Sequence, residues 1–163
     1  MQTSEALIRT KFRLPFVRPM LVPRPRLQER IAEGLRGPLT VIVAPAGFGK
    51  TTTVAAGLFD CNMGVAWLSL DRDDNLAGRF LKYLVAALGE ADDTVGSESA
   101  QLMAEMQQVA PEAVLTSLIN DLDATGRELV LVLDDYQFIS SQAVHEQVTF
   151  LLEHSPNTLH ILI

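Results

Sequence analysis

The sequence lacks most of the residues that would commit it to a special class. It has one cysteine, Cys61, in 163 residues. That excludes an intrachain disulfide and leaves a cysteine-based metal site without ligands. A single free thiol fits a reducing compartment. The histidines, His145, His154 and His160, have no metal-ligand spacing. His145 and His154 read as residues of an exposed helix face. No apolar run approaches the ~20 residues needed to cross a bilayer. Met1 to Phe12 is mixed polar and lacks the apolar core and cleavage site of a secretory signal. The expectation is a cytoplasmic chain with no membrane partner. Positive charge is scarce as well. Thirteen Lys and Arg against 20 Asp and Glu give a net charge of -7. This argues against a broad surface that grips a nucleic-acid backbone, but not against one anion held in a local pocket. Repeats and low-complexity tracts are missing too.

What is present suits one ordinary domain: 48% of residues are hydrophobic and 20% charged. Residues 1–25 form an extended leader with Pro15, Pro19, Pro23 and Pro25, and with Arg9, Lys11, Arg13, Arg18 and Arg24. Residues 26–163 form the domain proper. Leu27, Ile31 and Leu35 recur at helical spacing. Leu39 to Ala44 is a β-branched run without alternation, which predicts a strand buried on both faces. A glycine-rich loop and a helix from Lys50 to Phe59 follow. Val65 to Leu70 reads as a strand, and Leu76 to Leu88 as an amphipathic helix. Residues 89–100 show no periodicity and read as a loop. Pro111 opens another helix that Gly126 closes. Leu129 to Leu133 is a fully apolar strand, Val144 to Leu152 a helix stopped by Pro156, and Leu159 to Ile163 a strand. Strands alternating with helices imply a three-layer α/β/α fold around a mostly parallel sheet. A chain that stops on an apolar strand reads as a fragment, truncated after its fourth predicted strand.

The chemistry is concentrated in Ala44-Pro45-Ala46-Gly47-Phe48-Gly49-Lys50-Thr51-Thr52. A glycine-rich segment ending in Lys-Thr, set between a strand and a helix, is the phosphate-binding pattern of P-loop nucleotide-binding proteins. Gly47 and Gly49 let successive N–H groups turn inward. The helix aims its positive end at the same point. Lys50 is the candidate for the β- and γ-phosphates, Thr51 for Mg²⁺ and Thr52 for the α-phosphate. Ala44 departs from the usual opening glycine.

Asp134 follows the apolar strand, where such proteins place the carboxylate that orients Mg²⁺. The expectation is that its strand lies beside the P-loop strand. Asp135 is the candidate that polarises the attacking water. Asp71, Asp73 and Asp74 could suggest a metal cluster, but helix capping before Leu76 and solvation account for them. Trp67 reads as core, and Tyr136 as packing close to the site.

Leu21 to Leu27, Ala44 to Thr51, Val65 to Asp71, Arg79 to Leu84 and Leu131 to Tyr136 together resemble the ATPase domain of the MalT-like, large ATP-binding LuxR-family regulators. These belong to the STAND class of P-loop NTPases. The resemblance covers nearly the whole chain. It implies ATP or ADP with Mg²⁺ as cofactors, and a switch between a closed state and an open, self-oligomerising one. It also implies an inducer, unnamed by these residues, that acts through a distant repeat domain. DNA binding would come through a helix-turn-helix of the full-length protein. Val22, Pro23 and Arg24 match the place where relatives bind the adenine. The family's Thr-Arg sensor would follow the last strand, so hydrolysis by these residues alone is expected to be slow. The alternatives are a P-loop kinase or motor ATPase, or a nucleotide-binding interaction module without catalysis.

Overall fold

The computed structural model describes residues 6–16, 24–45, 47–105 and 110–163. Pro25 stands in the first turn of helix α1 (Pro25–Gly34), where its missing N–H costs no hydrogen bond. Strand β1 (Leu39–Thr40) leads through the glycine-rich loop into α2 (Lys50–Leu58). Strand β2 (Gly64–Ser69), helix α3 (Ala77–Ala91) and helix α4 (Ser97–Glu105) follow. Helix α5 (Pro111–Thr125), strand β3 (Leu129–Asp134), helix α6 (Gln142–His154) and strand β4 (Leu159–Leu162) complete the order.

The four strands are parallel, in the order β1-β4-β3-β2. Their apolar runs are unbroken because helices cover both faces. Trp67, Val130, Val132 and Leu162 point to one side and meet Ile31, Val54, Ala55 and Leu58 of α1 and α2. Ala66, Leu68, Leu131, Leu133 and Ile161 point to the other and meet α3, α5 and α6 through Phe80, Leu84, Leu118, Val144 and Leu151. Each large side chain buried in this way contributes roughly 1.5–3 kcal/mol. Gly57 lets α1 approach α2 closely: a Cβ there would lie 2.9 Å from Ile31 Cδ1.

The structure corrects four expectations. The run Leu39 to Ala44 is not buried on both faces, since Leu39, Val41 and Val43 are 39%, 58% and 88% exposed. The cause is position: β1 is an edge strand, and no described element covers that face. Its pairing with β4 continues past Thr40 through Ile42 N–H, which donates to Ile163 O at 2.7 Å. Second, the strand bearing Asp134 is not beside β1, because β4 lies between them. Third, residues 89–100 are not all loop. Helix α3 runs to Ala91, and α4 starts at Ser97, with Ser99 buried and its hydroxyl donating to Val114 O at 3.1 Å. Fourth, the leader is not extended throughout. Arg9–Phe12 forms a 3-10 turn, and Lys11 within it is buried. The leader's residues 17–23 lie outside the described residues.

No described helix is long and apolar enough to cross a membrane.

Candidate functional site

The glycine-rich loop takes the backbone shape its composition anticipates. Gly47 and Gly49 have φ of 84° and 74°. No atom lies within 4 Å of where their Cβ atoms would stand, so glycine is needed there for conformation and not for space. Phe48 N–H donates to Pro45 O at 3.3 Å, and Thr53 N–H donates to Gly49 O at 2.9 Å, which starts α2. Gly49 is the N-cap and supplies no side-chain acceptor. The first N–H groups of α2 therefore have no capping side chain among the described residues, which is the arrangement that receives an anion. Pro45, Phe48 and Gly49 are exposed, while Ala44, Lys50, Thr51 and Thr52 are half-buried. Ala46, Val22 and Pro23 lie outside the described residues.

The loop and the end of β3 meet directly. Thr51 Oγ1 lies 2.9 Å from Asp134 Oδ1 and 3.0 Å from Oδ2. Burial holds the Asp134 carboxyl above its ordinary value, against the opposing pull of the Thr51 hydrogen bond, and the Asp135 charge raises it further. The contact spans the intervening β4 because Thr51 stands in the first turn of α2, at the carboxyl end of the sheet, where Asp134 also closes β3. Ligands bind at that end of such sheets.

Asp135 departs from ordinary backbone geometry. Its φ of 61° is the one positive value outside glycine among the described residues. A 3-10 turn, Tyr136–Phe138, follows it. Gln137 Nε2 donates to Asp135 Oδ1 at 2.7 Å. The Tyr136 hydroxyl lies 2.7 Å from His145 Nδ1, so His145 has a partner where sequence suggested a solvated face. His160 is buried beside Gly37 O, and Trp67 is buried as expected.

Two grooves share Lys50. One of about 200 Å³ is lined by Lys50, Asp134, Asp135, Tyr136 and Gln137. The other, of about 410 Å³, runs between the loop and α1 and is lined by Arg24, Leu27, Arg30, Phe48, Lys50 and Thr53. Arg24 thus shares a groove with the phosphate loop. Arg30 and Thr53 were not singled out from the sequence, and Leu27 was read there as part of a helical repeat and of the Leu21 to Leu27 segment, not as a groove residue. Leu27 and Arg30 stand one helical turn apart on α1, a spacing that could have drawn attention to that face.

The acids after β2 are engaged elsewhere. Asp73 N–H donates to Asp71 Oδ1 at 2.9 Å and Asp71 N–H to Asp74 Oδ2 at 2.8 Å, which caps a 3-10 turn, Arg72–Asn75. Lys11 Nζ bridges Asp71 Oδ2, at 2.8 Å, and the fully buried Asp74, which also takes Arg79 Nε at 3.3 Å. The Lys11 hydrogen bond holds the Asp71 carboxyl below its ordinary value. Lys11 and Arg79 also stand over the Tyr83 ring, 4.7 and 4.9 Å from its centroid. Among the described residues no group of three or more His, Cys, Asp or Glu could hold a metal.

The chain is similar in sequence to known proteins. The HTH-type transcriptional regulator MalT of Yersinia pestis (strain Pestoides F) is 37% identical over 158 residues, which is 96% of this chain and 17% of that protein. MalT of Serratia proteamaculans (strain 568) is 36% identical over 160 residues, with the same shares of 96% and 17%. The chain therefore spans 17% of the length of these curated relatives. The family model described as AAA ATPase domain matches residues 26–163. With a parallel sheet, a glycine-rich loop opening α2 and an acid at the end of β3 inside that span, the chain belongs to the AAA ATPase domain family.

Proposed function

We propose that residues 26–163, together with the leader 1–25, are the nucleotide-reading domain of a MalT-like transcriptional regulator. The domain binds ATP or ADP with Mg²⁺ and hydrolyses ATP slowly. Its nucleotide state gates self-oligomerisation and DNA binding by other parts of the protein. The observation that carries this reading is the contact of Thr51 with Asp134 beneath a loop whose glycines leave the α2 N–H groups open. The sequence similarity to MalT supports the regulatory part.

The residues fit Mg²⁺. A hydroxyl and a carboxylate within hydrogen-bond distance are hard oxygen donors, and Mg²⁺ takes one or two protein ligands alongside phosphate and water. Thr51 and Asp134 would hold the ion, which supplies charge neutralisation at the β- and γ-phosphate oxygens. The backbone of Ala44 to Thr52 cradles the phosphates, and Lys50 adds positive charge between the two grooves. Arg24, with Val22 and Pro23, takes the adenosine end, for which the groove beside α1 has room. In hydrolysis a water oxygen bonds to the γ-phosphorus as the bond to the β–γ bridging oxygen breaks. ADP leaves with that electron pair, and Asp135 receives the proton of the water.

The test is Lys50→Ala in the intact protein, with ATP and ADP affinity read by calorimetry. Binding is expected to fall below detection while the circular dichroism of the fold is unchanged. Unchanged affinity would show that the nucleotide site has been misassigned.

A further inference from the structure

Asn75 ends the 3-10 turn after β2 and lies outside the phosphate loop. Its amide reaches the segment that follows Asp135. Nδ2 donates to Arg72 O at 3.0 Å and to Phe138 O at 2.8 Å. Oδ1 accepts from Ser140 N–H at 2.7 Å and from Ser141 N–H at 2.8 Å. Acceptors on one side and donors on the other fix the amide orientation. Only a short side chain with both an N–H₂ and a carbonyl can make this set. Aspartate lacks the donors, and serine lacks the reach.

The clamped segment starts at Asp135. Its φ of 61° and ψ of 33° are left-handed, a conformation uncommon outside glycine that aspartate and asparagine adopt more readily than most residues. Phe138 N–H donates to Asp135 O at 3.0 Å, and Phe138 O accepts from Asn75 at 2.8 Å. One residue thus links the backbone of Asp135 to the Asn75 amide. The other two bonds fix Ser140 and Ser141, where the turn passes into α6. The turn is anchored at its far end by an element that does not belong to it.

We propose that Asn75 is a positioning residue, which holds the turn after β3 so that the Asp135 carboxylate stays at the γ-phosphate end of the site. This rests on the reading of Asp135 as the group that receives the proton of the water. Asn75 is half-exposed and its partners can turn to water when it is removed, so the fold survives its loss while the placement of the turn does not.

The experiment compares Asn75→Ala, Asn75→Asp, Asp135→Asn and the Asn75→Ala/Asp135→Asn pair in the intact protein. It reads kcat and KM for ATP hydrolysis and the affinity for ADP. Asparagine tolerates the left-handed conformation, so Asp135→Asn removes the base without moving the turn. Asn75→Ala is expected to lower kcat by about tenfold or more, with KM and ADP affinity kept within about twofold. Asn75→Asp keeps the two bonds to Ser140 and Ser141 and is expected to recover part of the loss. In the Asp135→Asn background, Asn75→Ala is expected to have no further effect on kcat. The proposal is overturned if Asn75→Ala keeps wild-type kcat while Asp135→Asn does not. It is equally overturned if the two losses multiply, or if ADP affinity falls in step with kcat. If Asp135→Asn alone keeps full turnover, the base assignment fails first and the role of Asn75 fails with it.

Discussion

At Asp134, burial and chemistry pull in opposite directions. Burial raises the carboxyl pKa, and neither the Thr51 hydrogen bond nor the charge of Lys50 cancels it. The sign follows from proton counting. With a folded pKa above the unfolded one, the folded state binds more protons in the window between them, and stability falls as pH rises through it. At neutral pH the ionised Asp134 therefore works against the ligand-free fold. The proposed Mg²⁺ role gives an ionised carboxylate at this position a use. Asp134→Asn is expected to raise the urea midpoint of the ligand-free protein at neutral pH. The gain should shrink as pH falls toward the raised pKa. The same variant is expected to lose the Mg²⁺-dependent part of its ATP affinity. A lower midpoint at neutral pH would show that the carboxylate stabilises the fold after all, and equilibrium unfolding at several pH values measures the difference.

The ends of the elements are held by side chains that the periodicity of the sequence does not advertise. Asp92 follows α3, and its side chain is fully buried. It accepts from the Thr94 hydroxyl at 2.6 Å and the Thr94 N–H at 3.0 Å. Thr125 Oγ1 at 2.9 Å and Arg127 Nη1 at 3.2 Å bring the end of α5 and the start of β3 to the same carboxylate. The Thr94 hydroxyl leads the groups that hold its pKa at about 2, below the usual carboxylate range. A depressed carboxyl contributes stability that is complete above the unfolded pKa and is lost as pH falls through the folded one. The shift corresponds to roughly 2 kcal/mol. Asp92→Asn is expected to be less stable by about that amount above about pH 5, with the gap closing toward about pH 2, as urea unfolding across the range would show. A gap independent of pH would remove the charge from the explanation.

The same contrast governs what could be read in advance. Strands β2 and β3 were legible because they are apolar runs flanked by acids, and α3 and α5 because their apolar residues keep helical spacing. Helix α4 was not, because it buries a serine at Ser99 where periodicity looks for an apolar side chain. Lys11 reads as a solvated charge in sequence, yet it is buried against Asp74 and Tyr83, partners more than sixty residues away. The loop from Ala44 to Thr52 was legible because its pattern is local. Arg30 and Asn75 were not, because only the packing of α1 and the β2–α3 turn brings them to the site, and Thr53 was not because it stands on α2 just past the end of the pattern.

For the molecule as a whole, strand order decides which surface stays open. With β1 at the edge of the sheet, one row of its backbone groups has no strand partner among the described residues, and Leu39 in it and Val41 and Val43 just after it expose their side chains. Phe48, 66% exposed, adds an apolar group in the adjoining loop. An apolar edge is a template for pairing with another chain, and natural proteins blunt such edges with lysine. The net charge of -7 opposes association only weakly, since surface charges are screened beyond about 8 Å at physiological salt. The 163-residue chain by itself is therefore expected to self-associate with rising concentration, seen as a growing sedimentation coefficient. Val41→Lys is expected to suppress that growth without changing the far-ultraviolet circular dichroism, because Val41 is 58% exposed and has little packing to lose. Raising the salt should not mimic the lysine if the contact is apolar and backbone-mediated. A chain that stays monomeric at all concentrations, or associates equally well with lysine at Val41, would show that the open edge of β1 does not drive the contact.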